Sequence, residues 1–137
     1  MPYRLGIAIL LPLWLLASAA HAQEPPPAPV PVRTARYPSL SPDGKWIAFS
    51  WQGDIWIVAA TGGQARRLPH PGFDMRPRWS PDGSTIAFCS NRRGGHDIYL
   101  VPAAGGEARP LTHHAADDIL GDWSPDGKQI VFYSQRE

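Results

Sequence analysis

Trp79-Ser80-Pro81-Asp82-Gly83-Ser84-Thr85-Ile86-Ala87-Phe88 decides the fold. Pro81 pre-sets φ for the second position of a type I turn. Asp82 can bond the backbone ahead of it, and Gly83 accepts the positive φ that rejoins two strands through a bulge. Ile86 and Phe88 then share one face by period-two alternation. The Ser-Pro-Asp-Gly tetrapeptide also occurs at residues 41–44 and 124–127, with its serines 39 and then 44 residues apart. Such a period marks stacked units, each the size of one small antiparallel sheet.

The middle unit reads as four short strands. They cover residues 76–79, 84–90, 97–101 and 107–111, separated by turn-forming residues. The third segment, Ile98-Tyr99-Leu100-Val101, is apolar on both faces, as is Ile55-Trp56-Ile57-Val58 in the first unit. That pattern predicts strands covered on both sides. Gly62-Gly63 and Gly105-Gly106 turn the chain into a fourth segment ending at Leu68 or Leu111. The middle unit is longer in the stretch around Arg92 to His96, where a loop absorbs the insertion. The last unit shows only Trp123, its turn and residues 128–134. Prolines and glycines interrupt every ten residues or so, which excludes a helical reading.

The N-terminus has a different character. Arg4 is the only charge before Glu24, an apolar run covers residues 5–17, and Ala20-His21-Ala22 offers small residues at a cleavage site. Residues 1–22 therefore read as a secretory signal peptide, which places the mature protein in the periplasm or outside the cell. Residues 23–35 carry five prolines between Pro25 and Pro31 and read as an extended, Pro-rich linker.

Charge and cysteine content narrow the partners. The chain has 13 Lys plus Arg against 12 Asp plus Glu; removing Arg4 with the leader leaves 12 against 12. No basic field exists for nucleic acid, and nothing predicts membrane insertion once the leader is gone. Arg66-Arg67 and Arg92-Arg93 read as solvated turn and edge residues. Cys89, the single cysteine, cannot form an intrachain disulfide and reads as a buried structural thiol.

One four-stranded sheet cannot bury two apolar faces by itself, and stacking like units solves this. The expectation is an all-β fold: a partial β-propeller of about two and a half four-stranded antiparallel blades. Its units cover about residues 36–73, 74–117 and 118–137. Leu40, Trp79 and Trp123 each precede the turn serine and are expected to pack between blades. Fewer blades than a ring needs suggest the N-terminal part of a longer protein, with blade edges open to self-association.

The residues also carry a resemblance. The string at 79–88, with Asp97-Ile98-Tyr99-Leu100-Val101 and Gly105-Gly106-Glu107-Ala108-Arg109-Pro110-Leu111, resembles the WD40-like propeller repeat of TolB-type periplasmic proteins. It is similar as well to the N-terminal propellers of tricorn-type peptidases and to those preceding prolyl-oligopeptidase catalytic domains. The resemblance covers about residue 37 to the end and implies fold more firmly than function. It implies an exported module for protein binding or substrate gating, with a protein or peptide as partner. Its two versions are the propeller of a tricorn-type peptidase whose catalytic part is absent, and a TolB-type interaction propeller without enzymatic activity.

No residue is assigned a catalytic, cofactor-binding or metal-binding role, and no cofactor is expected. The chain has no G-x-S-x-G elbow, H-E-x-x-H helix, C-x-x-C or phosphate loop. His113-His114 with Asp117 and Asp118 is the nearest approach to a metal set and reads as a solvated interblade loop. His70 stands at the analogous place after the first unit. Asp54 and Asp97 each precede a third strand and read as caps of the preceding turn.

Overall fold

The computed structural model describes residues 28, 30–68 and 72–136. The leader at 1–22, four of the five linker prolines and His70 lie outside the described residues. Every regular element described is a β-strand. β1 (Arg36–Leu40), β2 (Trp46–Trp51), β3 (Asp54–Ala59) and β4 (Arg66–Arg67) form one sheet in that order. β5 (Asp74–Trp79), β6 (Thr85–Arg93), β7 (Gly95–Pro102) and β8 (Arg109–Pro110) form the second. β9 (Asp118–Trp123) and β10 (Ile130–Ser134) form a two-stranded third. All pairs are antiparallel. The architecture is thus all-β, a partial propeller.

The three Ser-Pro-Asp-Gly turns have one geometry. In the second, the Ser80 hydroxyl donates to Asp82 Oδ1 at 2.5 Å and accepts the Thr85 amide at 3.0 Å. Asp82 Oδ1 also accepts the Ser84 amide at 3.0 Å. The Gly83 amide closes the turn on the Ser80 carbonyl at 2.9 Å, with φ at +72°. The same bonds recur around Ser41 and Ser124 within 0.1 Å. Each serine hydroxyl therefore both donates and accepts inside its own turn.

Alternation sends neighbouring residues of one strand to different blade junctions. Ile86 and Phe88 of β6, with Tyr99 and Val101 of β7, pack against Ala48, Ile55, Ile57 and Leu68 of the first sheet. Ala87, Cys89 and Ile98 face the other way and pack against Leu120 of β9. The middle sheet is thereby covered on both faces.

Hydrogen bonds repeat across both junctions. The Trp79 indole N–H donates to the Ser39 carbonyl at 3.0 Å, and that of Trp123 to the Arg78 carbonyl at 3.1 Å. The Arg76 amide donates to Ser50 Oγ at 3.2 Å, and the Leu120 amide to Cys89 Sγ at 3.2 Å. Cys89 is buried, and that burial pushes its thiol pKa up, so it serves as a neutral packing group and acceptor. Leu40 stands at the tryptophan position of the first sheet. It is 59% exposed, because no described blade lies on that side.

Trp79→Phe removes one junction bond while keeping most of the packing. It should destabilise the chain by about 1 kcal/mol, seen as a lower urea midpoint with unchanged slope. The turns should also give an acid dependence. Hydrogen bonds from the serine hydroxyl, then from the amide two residues on, hold Asp43, Asp82 and Asp126 below the ordinary value of 3.8. A lowered folded pKa contributes stability that is present above pH 3.8 and lost as pH falls through the folded value. Thermal melts between neutral pH and pH 2 should show this loss, and Asp82→Asn should shrink it.

Candidate functional site

Strand direction sorts the loops onto two ends. The Ser-Pro-Asp-Gly turns share one end with the β3–β4 and β7–β8 turns. The β2–β3 and β6–β7 hairpins and the blade-to-blade connections share the other. Two buried carboxylates organise this second end. Asp74 opens β5 with no exposed surface, and Arg92 Nη2 donates to both its oxygens, at 3.0 and 3.2 Å. Arg92 Nε donates to Ser90 Oγ at 2.8 Å, and the guanidinium lies 4.2 Å from the Tyr99 ring centroid. Gly72 closes over the group: at φ +134°, an added Cβ would stand 3.0 Å from Arg92 Cβ and 3.1 Å from Ser90 Oγ.

The arrangement repeats 44 residues on. Asp118, also fully buried, accepts Ser134 Oγ at 2.5 Å and a bond from Arg136 Nη2. The two copies differ electrostatically. Burial pushes the Asp74 carboxyl up, outweighing the bonds from Ser90 and Arg92. Burial also raises Asp118, but bonds from Ser134, Arg136 and Thr112 overcome it and hold that carboxyl low. The first sheet lacks the group: its register places Ala35, Trp51 and Gly53 at the corresponding positions.

These clamps revise two readings of the sequence. Arg92 is a largely enclosed partner of buried Asp74 rather than a solvated edge residue, because β6 runs three residues past Ser90, to Arg93, and carries it inward. Asp118 likewise belongs to a buried pair and not to a solvated loop. The signal was present as Ser90-Asn91-Arg92 recurring as Ser134-Gln135-Arg136, in register with Asp74 and Asp118.

The His113, His114, Asp117 and Asp118 set does not converge. His113 Nδ1 accepts from Arg93 Nη1 at 3.3 Å, and His114 Nδ1 accepts the Ala116 amide at 3.0 Å. Asp117 turns to His96, taking its amide at 2.7 Å and its Nδ1–H at 3.2 Å. The His96 amide is the main reason the Asp117 carboxyl sits low. Among the described residues, no group of three or more His, Cys, Asp or Glu is placed to hold a metal ion. Asp97 does not cap the turn before it. Its Oδ1 accepts the Thr112 hydroxyl at 3.1 Å and the His114 amide at 3.2 Å, tying the blade connection back onto β7. Asp54 pairs with Arg67 at 2.8 Å, again reaching towards the fourth strand.

A cavity of about 670 Å³ opens on the same end, beside the β2–β3 hairpin. Its lining includes Arg33, Thr34, Arg36 and Tyr37 together with the apolar Trp51, Phe73 and Met75.

Arg92→Met leaves Asp74 buried and unpaired, which should cost about 3–5 kcal/mol. Arg136→Met should cost clearly less, because that side chain is 41% exposed against 14% for Arg92. Urea unfolding of the two variants tests the ordering.

Residues 33–137 match the family described as the tricorn protease N-terminal β-propeller domain. The chain is 34% identical over 73 residues to tricorn protease homolog 1 of Streptomyces coelicolor, covering 53% of this chain and 7% of that protein. It is 49% identical over 47 residues to the Tol-Pal system protein TolB of Bordetella pertussis, covering 33% of this chain and 11% of that protein. The crystal structure of TolB from Acinetobacter baumannii superposes with a TM-score of 0.63 at 33% identity, covering 71% of this chain and 26% of that one. The chain therefore spans only a small part of the curated relatives' lengths. With the family match running over three repeated units in one register, the chain belongs to the tricorn protease N-terminal β-propeller family.

Proposed function

We propose that this chain is an exported propeller module that binds a protein or peptide, in the manner of a substrate-gating propeller of a tricorn-type peptidase. The family match over residues 33–137 carries this reading. In it, residues 1–22 are a cleaved leader directing the chain to the periplasm or beyond. Residues 23–35 are a linker, and 36–137 hold propeller units at about 36–73, 74–117 and 118–137. In this reading no residue is given a catalytic, cofactor-binding or metal-binding role, and the loop-bearing end faces the partner. The serine hydroxyls of the turns are engaged within their own turns, which agrees with a binding role.

A second reading, a TolB-type interaction propeller, draws on the 49% identity to TolB across 47 residues. Both readings predict that a tagged chain captures a specific protein from a cell-envelope extract. Capture of tricorn-like peptidase substrates supports the first, and of an envelope-assembly protein the second. No enrichment over an unrelated propeller would sink both. The purified chain should leave test peptides intact, and cleavage that survives repurification would overturn the non-catalytic assignment.

A further inference from the structure

We propose that the outer face of the first sheet is a proline-binding groove, and that its occupant is this chain's own proline-rich segment, residues 23–29. The groove opens on a sheet face rather than among the hairpins, and the inference does not rest on the functional reading above.

The equivalence of the sheets is the first argument. Phe88, Tyr99 and Val101 of the second sheet pack against the first sheet. Strand pairing puts Phe49, Trp56 and Val58 at the same positions of the first sheet. No described sheet lies on that side, yet Phe49 is only 5% exposed. A cavity of about 670 Å³ opens on this face, and Val30, Pro31, Val32 and Ala35 form part of its lining. The linker therefore stands where a preceding sheet would, and residues 23–29 lead directly into it.

The chemistry of the groove is the second argument. Phe49, Trp51 and Trp56 give it an aromatic surface, with the two indoles edge to face at 5.3 Å, and no charged residue lines it. The Trp56 indole N–H is taken by the Trp51 carbonyl at 3.1 Å, but no described residue accepts from the Trp51 indole N–H. A polyproline helix makes no hydrogen bonds of its own, so its carbonyls seek outside donors. Aromatic-lined grooves are the surfaces that recognise it, and its fixed φ lowers the entropy lost on docking. Residues 23–29 hold Pro25, Pro26, Pro27 and Pro29, with Glu24 as the only charge.

Reach and room agree. As a polyproline helix, residues 23–29 span roughly 22 Å, against about 14 Å across a four-stranded sheet. Gly62 and Gly63 also line the cavity, and nothing lies within 4 Å of a Cβ added at either. The segment can thus cross the whole face and cap the stack of sheets on this flank, as terminal units of a repeat array must be capped.

The full 137-residue chain, labelled with fluorotryptophan, is compared by fluorine NMR with a variant carrying Pro25→Ser, Pro26→Ser, Pro27→Ser and Pro29→Ser. The Trp51 and Trp56 resonances should move, and those of Trp79 and Trp123, at the blade junctions, should not. A peptide of residues 23–31 is then titrated into both chains. It should bind the variant roughly tenfold or more tightly than the unaltered chain, because the tethered prolines compete at high effective concentration. Adding Trp51→Phe to the variant removes the N–H and should weaken the peptide roughly fivefold. Unmoved Trp51 and Trp56 resonances, equal binding to both chains, no binding to the folded variant, or undiminished binding after Trp51→Phe would each overturn the inference. Should the variant fail to fold, nuclear Overhauser contacts in the unaltered chain decide. Contacts between the prolines at 25–29 and the Trp51 or Trp56 ring support the groove, and their absence overturns it. Mixing isotope-labelled with unlabelled chains separates the occupants: contacts found only between copies would put a second chain's prolines in the groove and overturn the assignment to the chain's own.

Discussion

The middle sheet has apolar side chains on both faces, and that constraint organises the rest of the molecule. Ile86 and Phe88 alternate with Ala87 and Cys89, so β6 must be covered from both sides to be dry. A second layer on one face would leave the other wet. Like sheets stacked in series are the simple solution, and each added sheet presents the next face. The exposed Leu40 on one flank, and Val131 and Tyr133 on the other, are the positions where the described series has no further sheet.

Stacking alone does not set register between blades, because hydrophobic contact is non-directional. The paired junction bonds do. Each indole reaches a carbonyl of the preceding sheet's first strand, and each bulge amide reaches Ser50 or Cys89 of the preceding sheet's second strand. The bulges matter here: a regular ladder would turn these amides to the neighbouring strand of the same sheet. Pro38 and Pro77, which have no N–H to lose, sit in the bulges of β1 and β5, and Gly121 holds the same position in β9.

The two ends of the sheets have separate roles. The turn end is self-contained, since serine, aspartate and glycine satisfy one another within each tetrapeptide. The opposite end holds the buried aspartate clamps, the longer hairpin and the cavity. Asp–Ser–Arg groups fasten the first two strands of the second and third units where those strands open. In the first unit, Trp51 and Gly53 stand in their place, and the cavity opens beside them. Loss of the clamp and the opening of the cavity occur at one location in that unit.

Much of this was legible in the chain. The turn tetrapeptide, the alternation and the double-glycine corners specify strands and their order through local backbone preference, which needs no partner. The repeat length then specifies stacked sheets. The sites were less legible, for a physical reason. Arg92 reads as a surface residue until Asp74, eighteen positions earlier, is brought alongside it by strand pairing. The His113–Asp118 segment reads as one cluster until each side chain finds a different partner. The residues lining the cavity come from the linker, two sheets and a hairpin. Local sequence determined the strands and turns, because φ/ψ preference and period-two patterning act within a few residues. Only the tertiary structure decided which charges are buried and paired and which stand free, because that depends on neighbours delivered by pairing and stacking.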